Sequence, residues 1–186
     1  MNNNTEIVQL IKQLYAEKGS LHYGEDVTQT EHAMQCWLLA KQSNSSLDLR
    51  VAAFLHDVGH LYHSDKEDLE TDLKHEIIGE HLLKKWGFND KIATLVSSHV
   101  WAKRYLVTCE PEYAKLLSDA SITSLMNQGG LMDESELLQC EQKAYFSECI
   151  QLRRWDDAGK LDLMESEIRP DVWEDIASAL QEASSN

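Results

Sequence analysis

Apolar residues recur at three- and four-residue intervals along nearly the whole chain, and no run alternates apolar with polar between turn dipeptides, so the pattern predicts helices throughout. Ile7, Leu10, Ile11 and Leu14 form the first stripe, with Gly19 placed to close it. Thr28 and Glu31 stand at capping-box spacing ahead of "TEHAMQCWLLAK", where Met34, Trp37 and Leu38 share a face. That start puts His32 in the first turn. A third helix is expected over "SLDLRVAAFLHDVGHLYH", a fourth over "LKHEIIGEHLLKKWG" closed by Gly87, and a fifth over "NDKIATLVSSHVWAKRYL" capped by Asn89 or Asp90. "EPEYAKLLSDASITSLMN" opens with Pro111 at a first-turn position and stops at Gly129-Gly130. Asp133 to Trp155 reads as one long helix beginning "DESE", and a last helix covers Asp171 to Ala183. The expectation is an all-α, single-domain bundle over residues 1–186, with a core from about 5 to 160 and the C-terminal helix packed on it.

Composition adjusts this picture only at its edges. With 42% hydrophobic and 26% charged residues, 8 Gly and 2 Pro, the chain suits a helix-rich globular protein. A formal net charge of −15 repels a phosphate backbone and argues against nucleic acid as a partner. Cys36, Cys109, Cys140 and Cys149 are scattered, without a C-x-x-C pair, which fits reduced thiols in the cytoplasm. The N-terminal stretch does not read as a secretion signal, and no segment approaches 18 apolar residues, so neither export nor a membrane span is expected.

Chemistry concentrates in "AAFLHDVGHLYH", Ala52 to His63. On a continuous helix His56 and Asp57 would project about 100° apart, with His60 over the face of His56. Gly59 costs such a helix roughly 1 kcal/mol relative to alanine, which suggests a close approach to its backbone. A single core histidine more often donates to a backbone carbonyl than binds an ion. Here, however, His32, His75 and His99 also fall among apolar neighbours on other helices, where an uncompensated imidazole is costly. Imidazole and carboxylate donors suit zinc, iron, manganese or cobalt, and a carboxylate can bridge two ions, which makes Asp57 the candidate bridge. His22, His63 and His81 have weaker claims, and the neighbours of His81, Glu80 and Lys84, suit a solvated side chain.

An upstream His, a His-Asp pair and a distant Asp resemble the HD-domain metalloproteins, all-helical proteins that are mostly phosphohydrolases. Many of these follow His-Asp with x-Gly-Lys; here His60 replaces the lysine. A narrower resemblance is to the PhnZ-type HD-domain oxygenases, which use a mixed-valent di-iron centre and O2 to break a carbon–phosphorus bond. It runs from about Tyr23 to Lys160 through "YGE", "HDVGH", "HVWAKRYLV", "LSDAS", "NQGG" and "RRWDDAGK".

The resemblance implies two iron ions, Fe(II) and Fe(III), with O2 as co-substrate. His32, His56, Asp57 and Asp156 would hold one ion and Asp57, His75 and His99 the other, with Asp157 competing for the place of Asp156. It places His60, Lys103, Ser121, Ser124 and Arg153 on the phosphonate, and Tyr23 and Glu25 at a gate where the glutamate engages a substrate ammonium. Asp57, His60 and Lys103 would be the catalytic residues. Simpler readings stand beside these: Lys103 and Arg104 as the basic last turn of a helix, Arg153 as a partner of neighbouring acids, Ser121 as a solvated polar residue.

The implied substrate is (R)-2-amino-1-hydroxyethylphosphonate, giving glycine and phosphate, after a hydroxylase has installed the hydroxyl group. A trimethylated analogue, whose quaternary cation Trp101 could face, and hydroxymethylphosphonate are the alternatives. Two rivals remain: a hydrolytic HD phosphohydrolase acting on a nucleotide or phosphate monoester, and a metal-stabilised helical module without turnover.

Overall fold

The computed structural model describes residues 3–22, 26–62, 74–161 and 168–185, and among these ten α-helices and one 3-10 turn make up the regular structure. No strand occurs among them. Helix α1 (Asn3–Lys18) turns Val8, Ile11 and Tyr15 inward and leaves Leu10 at 45% exposure, so its buried stripe lies one position away from the expected one. The Tyr15 hydroxyl fixes that rotation by donating to the Phe54 carbonyl at 2.9 Å. Helix α2 (Gln29–Gln42) starts at the expected capping box, with Thr28 and Glu31 satisfying each other's backbone N–H groups.

The expected third helix is broken. Helix α3 (Leu47–Leu55) ends before His56, the chain turns at His56–Asp57, and α4 (Val58–Tyr62) follows. The His60 N–H reaches back to the Asp57 carbonyl, tightening the turn to an i→i+3 pattern. Gly59 permits the next contact: a Cβ there would lie 2.0 Å from the His75 carbonyl oxygen, at the start of α5 (His75–Trp86). The close approach foreseen at this glycine is thus made by the chain itself.

Helix α6 (Asp90–Cys109) is the spine, contacting α3, α5 and α9. Its cap is Asn89, whose side-chain oxygen accepts from the Ile92 N–H at 2.9 Å. Beyond Pro111 the expected single helix is two pieces, a 3-10 turn (Tyr113–Leu116) and α7 (Asp119–Asn127), because Leu117 is extended and the Ser118 hydroxyl caps α7. The long helix expected from Asp133 also divides, into α8 (Glu134–Glu141) and α9 (Phe146–Ala158), at Tyr145 with φ 60°. No glycine or proline marks that bend. Tertiary packing decides it, since the Phe146 ring stacks on Trp101 and meets Tyr105 edge-on, both on α6. Helix α10 (Pro170–Ala183) starts with proline in its first turn. Asp175 ties it down by accepting from Trp37 of α2 and from both edge nitrogens of Arg50 of α3. Trp37, Phe54, Leu55, Ile92, Leu95, Leu152 and Ile176 are fully buried at the centre. No helix among the described residues is long and apolar enough to cross a membrane.

Candidate metal centre

Five elements deliver the ionisable core. His32 lies in the first turn of α2, His56 and Asp57 in the turn after α3, His75 at the start of α5, His99 in the middle of α6 and Asp156 near the end of α9. The turn at His56–Asp57 replaces the 100° divergence of a helix with side chains that converge. His32 Nε2 lies 3.1 Å from His56 Nε2, and His75 Nε2 lies 2.8 Å from His99 Nε2. Asp57 faces both pairs: Oδ2 is 3.6 Å from His32 and 3.4 Å from His56, while Oδ1 is 3.8 Å from His75 and 3.5 Å from His99. Asp156 Oδ1 joins the first pair only, 3.4 Å from His32 and 3.8 Å from His56.

Hydrogen bonds fix which nitrogen carries the proton. A carbonyl oxygen only accepts, so Nδ1 of His32 donates to Gly159 (2.9 Å), that of His56 to Ala53 (3.0 Å) and that of His99 to Val96 (2.7 Å). At the first pair this leaves both Nε2 lone pairs facing each other, an arrangement that a proton or a metal cation between them relieves. Two nitrogens at right angles, each about 2.1 Å from one divalent ion, lie about 3.0 Å apart, which is the spacing of both pairs. The donor set therefore fits two ions sharing Asp57. Its electrostatics agree. Burial opposes a charge on His56, yet Asp57 and Asp156 outweigh it and push the imidazole up to about 9. Burial would raise Asp57, but His56, His60 and His99 hold it well below the usual carboxylate range. For Asp156 burial is overcome by Arg153 and then His56. The carboxylates, in short, demand positive charge.

Beside this layer stands a wall of donors. Lys103 is 97% buried on α6 and its Nζ donates to Ser124 Oγ at 2.6 Å; Ser124 in turn donates to the Ser121 carbonyl. Burial, reinforced by the nearby Arg153 charge, pulls the Lys103 ammonium down to about 7. It is not a basic last turn, since α6 runs six residues further. Ser121 is buried and accepts from Lys160 Nζ at 2.9 Å. Lys160 closes the segment "RRWDDAGK", and only the fold brings it to Ser121.

Arg153 pairs with the acids beside it, the simpler of its two readings. Its Nη1 donates to Asp156 Oδ2 at 2.6 Å, its Nε to Tyr113 and to Asp157 Oδ2, and its Nη2 to Asp157 Oδ1, so carboxylates and a phenol surround it. The same contacts separate Asp156 from Asp157: the first faces the histidines, the second faces Arg153 and Tyr113.

His60 stacks on His75 at a centroid distance of 3.8 Å, not over His56. Trp101 stacks on Phe146 with Lys143 over its ring, two residues and thus about 200° around α6 from His99. Its face is taken by these neighbours. Cys36 is fully buried with Sγ 3.8 Å from His32 Nδ1, and it donates to the Trp155 carbonyl. Burial, then Asp156 and Asp57, push this thiol up and keep it protonated. His22 and His81 are exposed. Tyr23, Glu25 and His63 lie outside the described residues.

Residues 30–126 match the model of the HD-domain family. A hydroxymethylphosphonate dioxygenase of Gimesia maris is 37% identical over 160 residues, 84% of this chain and 79% of that one. The [1-hydroxy-2-(trimethylamino)ethyl]phosphonate dioxygenase (glycine-betaine-forming) of Leisingera caerulea is 38% identical over 175 residues, 92% of this chain and 87% of that one. An uncharacterised protein of Acanthamoeba polyphaga mimivirus is 37% identical over 168 residues, covering 86% and 77%.

Proposed function

Because the chain belongs to the HD-domain family, we propose that it is an oxygenase using two iron ions, Fe(II) and Fe(III), and O2 to cleave the carbon–phosphorus bond of an α-hydroxyphosphonate. The preferred substrate is (R)-2-amino-1-hydroxyethylphosphonate. Its reaction with one O2 gives glycine and phosphate, and the two oxygen atoms account for the new carboxylate oxygen and the fourth phosphate oxygen. The trimethylated analogue and hydroxymethylphosphonate, substrates named for the Leisingera and Gimesia relatives, are the alternatives.

In this reading His32, His56, Asp156 and Asp57 would hold one ion, and His75, His99 and Asp57 the other. Iron bound there would supply the redox chemistry with O2 and positive charge for the substrate's oxygens. The protein orients and neutralises. Lys103, steadied by Ser124, and Lys160, on Ser121, supply the ammonium groups for the phosphonate, a dianion that a dry pocket accepts only with opposing charge. Arg153 acts on Asp156, and His60, held flat on His75, lines the substrate side. Tyr23 as a gate and Glu25 as the amine partner rest on sequence alone. The substrate comes from a hydroxylase, and the protein works in the cytoplasm.

One observation carries this reading: two imidazole pairs, each at the spacing of neighbouring ligands on one ion, face opposite oxygens of Asp57 beside a buried lysine. The test is an aerobic assay of iron-loaded protein on a panel of α-hydroxyphosphonates, following O2 uptake, phosphate and the organic acid. Coupled O2 loss and phosphate release is the expected result. Phosphate release from a nucleotide without O2, supported by manganese, would replace this reading with a hydrolase, and no turnover of either class would favour a metal-stabilised binding module.

A further inference from the structure

The side of Arg153 remote from Asp156 is as carefully built as the side that touches it. Arg153, Asp156 and Asp157 occupy positions i, i+3 and i+4 of α9, so they share one face. Asp157 takes the Nε and Nη2 edge of the guanidinium through both its oxygens. Tyr113, buried against Leu106 and Leu117, accepts from Arg153 Nε at 3.1 Å and donates its own proton to Asp157 Oδ2. The 3-10 turn that interrupts the expected helix after Pro111 is what delivers this phenol to α9.

We propose that Tyr113 and Asp157 are positioning residues for the His32–His56 metal cluster, acting through Arg153 to keep Asp156 Oδ1 turned toward it; this rests on the two-ion reading above. The argument is a competition. A guanidinium fork binds a carboxylate best through two parallel N–H bonds. With its Nε and Nη2 edge occupied by Asp157, Arg153 meets Asp156 through Nη1 alone, which takes Oδ2 and leaves Oδ1 3.4 Å from His32 Nε2. Without Asp157 the free fork would draw both oxygens of Asp156 to itself and withdraw the donor from the histidines. Asp157 also offsets the guanidinium charge, so Arg153 cancels less of the attraction of Asp156 for an ion. The arginine-held acid serves one cluster: Asp156, paired with Arg153, faces His32 and His56, whereas the carboxylate facing His75 and His99 is that of Asp57.

The effect must therefore fall on one cluster. Anaerobic Fe(II) binding is measured by chelator competition in two backgrounds, His75→Ala, which leaves the first cluster, and His32→Ala, which leaves the second. Asp157→Asn should weaken Fe(II) binding 10- to 100-fold in the His75→Ala background, as loss of a ligand's supporting partner does elsewhere, and change it less than twofold in the His32→Ala background. Tyr113→Phe, which keeps both Arg153–carboxylate pairs, should act in the same direction by several-fold; it decides the matter if thermal melting shows Asp157→Asn to be unfolded. Equal losses in both backgrounds, or none in either, would overturn the proposal. Wild-type protein that binds fewer than two ions would instead bring down the two-ion reading, and this inference with it.

Discussion

His56 and His99 are buried in the same layer with ring centroids 5.4 Å apart, yet their surroundings push them in opposite directions. His56 stands between Asp57 and Asp156 and is raised to about 9, whereas His99, for which burial outweighs Asp57, is lowered to about 4. The contrast extends to whole clusters. The His32–His56 side has two carboxylates, one of them held by an arginine; the His75–His99 side has one shared carboxylate oxygen and a third histidine, His60, stacked against it. A site with four protein donors anchors an ion, and one with three leaves more of the coordination sphere to substrate or O2. The asymmetry comes from α9, which reaches only the first pair.

The comparison breaks most completely at the residue both clusters share. Asp57→Ala should reduce bound iron from two ions to none and abolish turnover, with elemental analysis and phosphate release as the readouts; retention of two ions would mean that the bridge is elsewhere. One step down, His32→Ala and His75→Ala should each leave one ion and lower kcat by at least 100-fold, and the electron paramagnetic resonance of a mixed-valent pair should vanish in both. Lys103 sharpens the comparison from the substrate side. With its ammonium pulled down to about 7, Lys103 is charged below that pH and neutral above it. kcat/KM should therefore fall as pH rises through about 7, and Lys103→Met should raise KM about 10- to 100-fold and flatten that limb. The smallest effects concern the glycine beneath each pair. A Cβ at Gly59 would lie 2.0 Å from the His75 carbonyl oxygen, while one at Gly159 would lie 2.7 Å from the Cys36 thiol. Gly59→Ala should cost about 3 kcal/mol by urea unfolding, because backbone must move, and Gly159→Ala about 1–2 kcal/mol, because a side chain can yield.

Caps and helix faces were largely legible. The Thr28–Glu31 box, the start at Asp133 and the stops at Gly87 and Gly129-Gly130 follow from local hydrogen bonding and from positive φ, which neighbouring residues in the chain determine. Three breaks were not legible: at His56–Asp57, at Leu117 and at Tyr145. Each falls where nothing local forbids a helix; distant partners hold the first and third, and the Ser118 cap of α7 holds the second. The candidate ligands could be drawn up from residue types and resemblance. That His60 would lie on His75, that Trp101 would be covered by Phe146, and that Lys160 would reach Ser121 could not.

Sequence alone determined an α-helical chain with one capped helix after another and a surplus of imidazole and carboxylate at apolar positions, because periodicity and burial cost are properties of short segments. Tertiary structure decided which of those groups meet. The turn after α3 made His56 and Asp57 converge, and the register of α9 set Asp156 on the histidines and Asp157 on Arg153. Neighbours in sequence that differ by 100° on a helix receive different partners, and only packing across the core chooses between them.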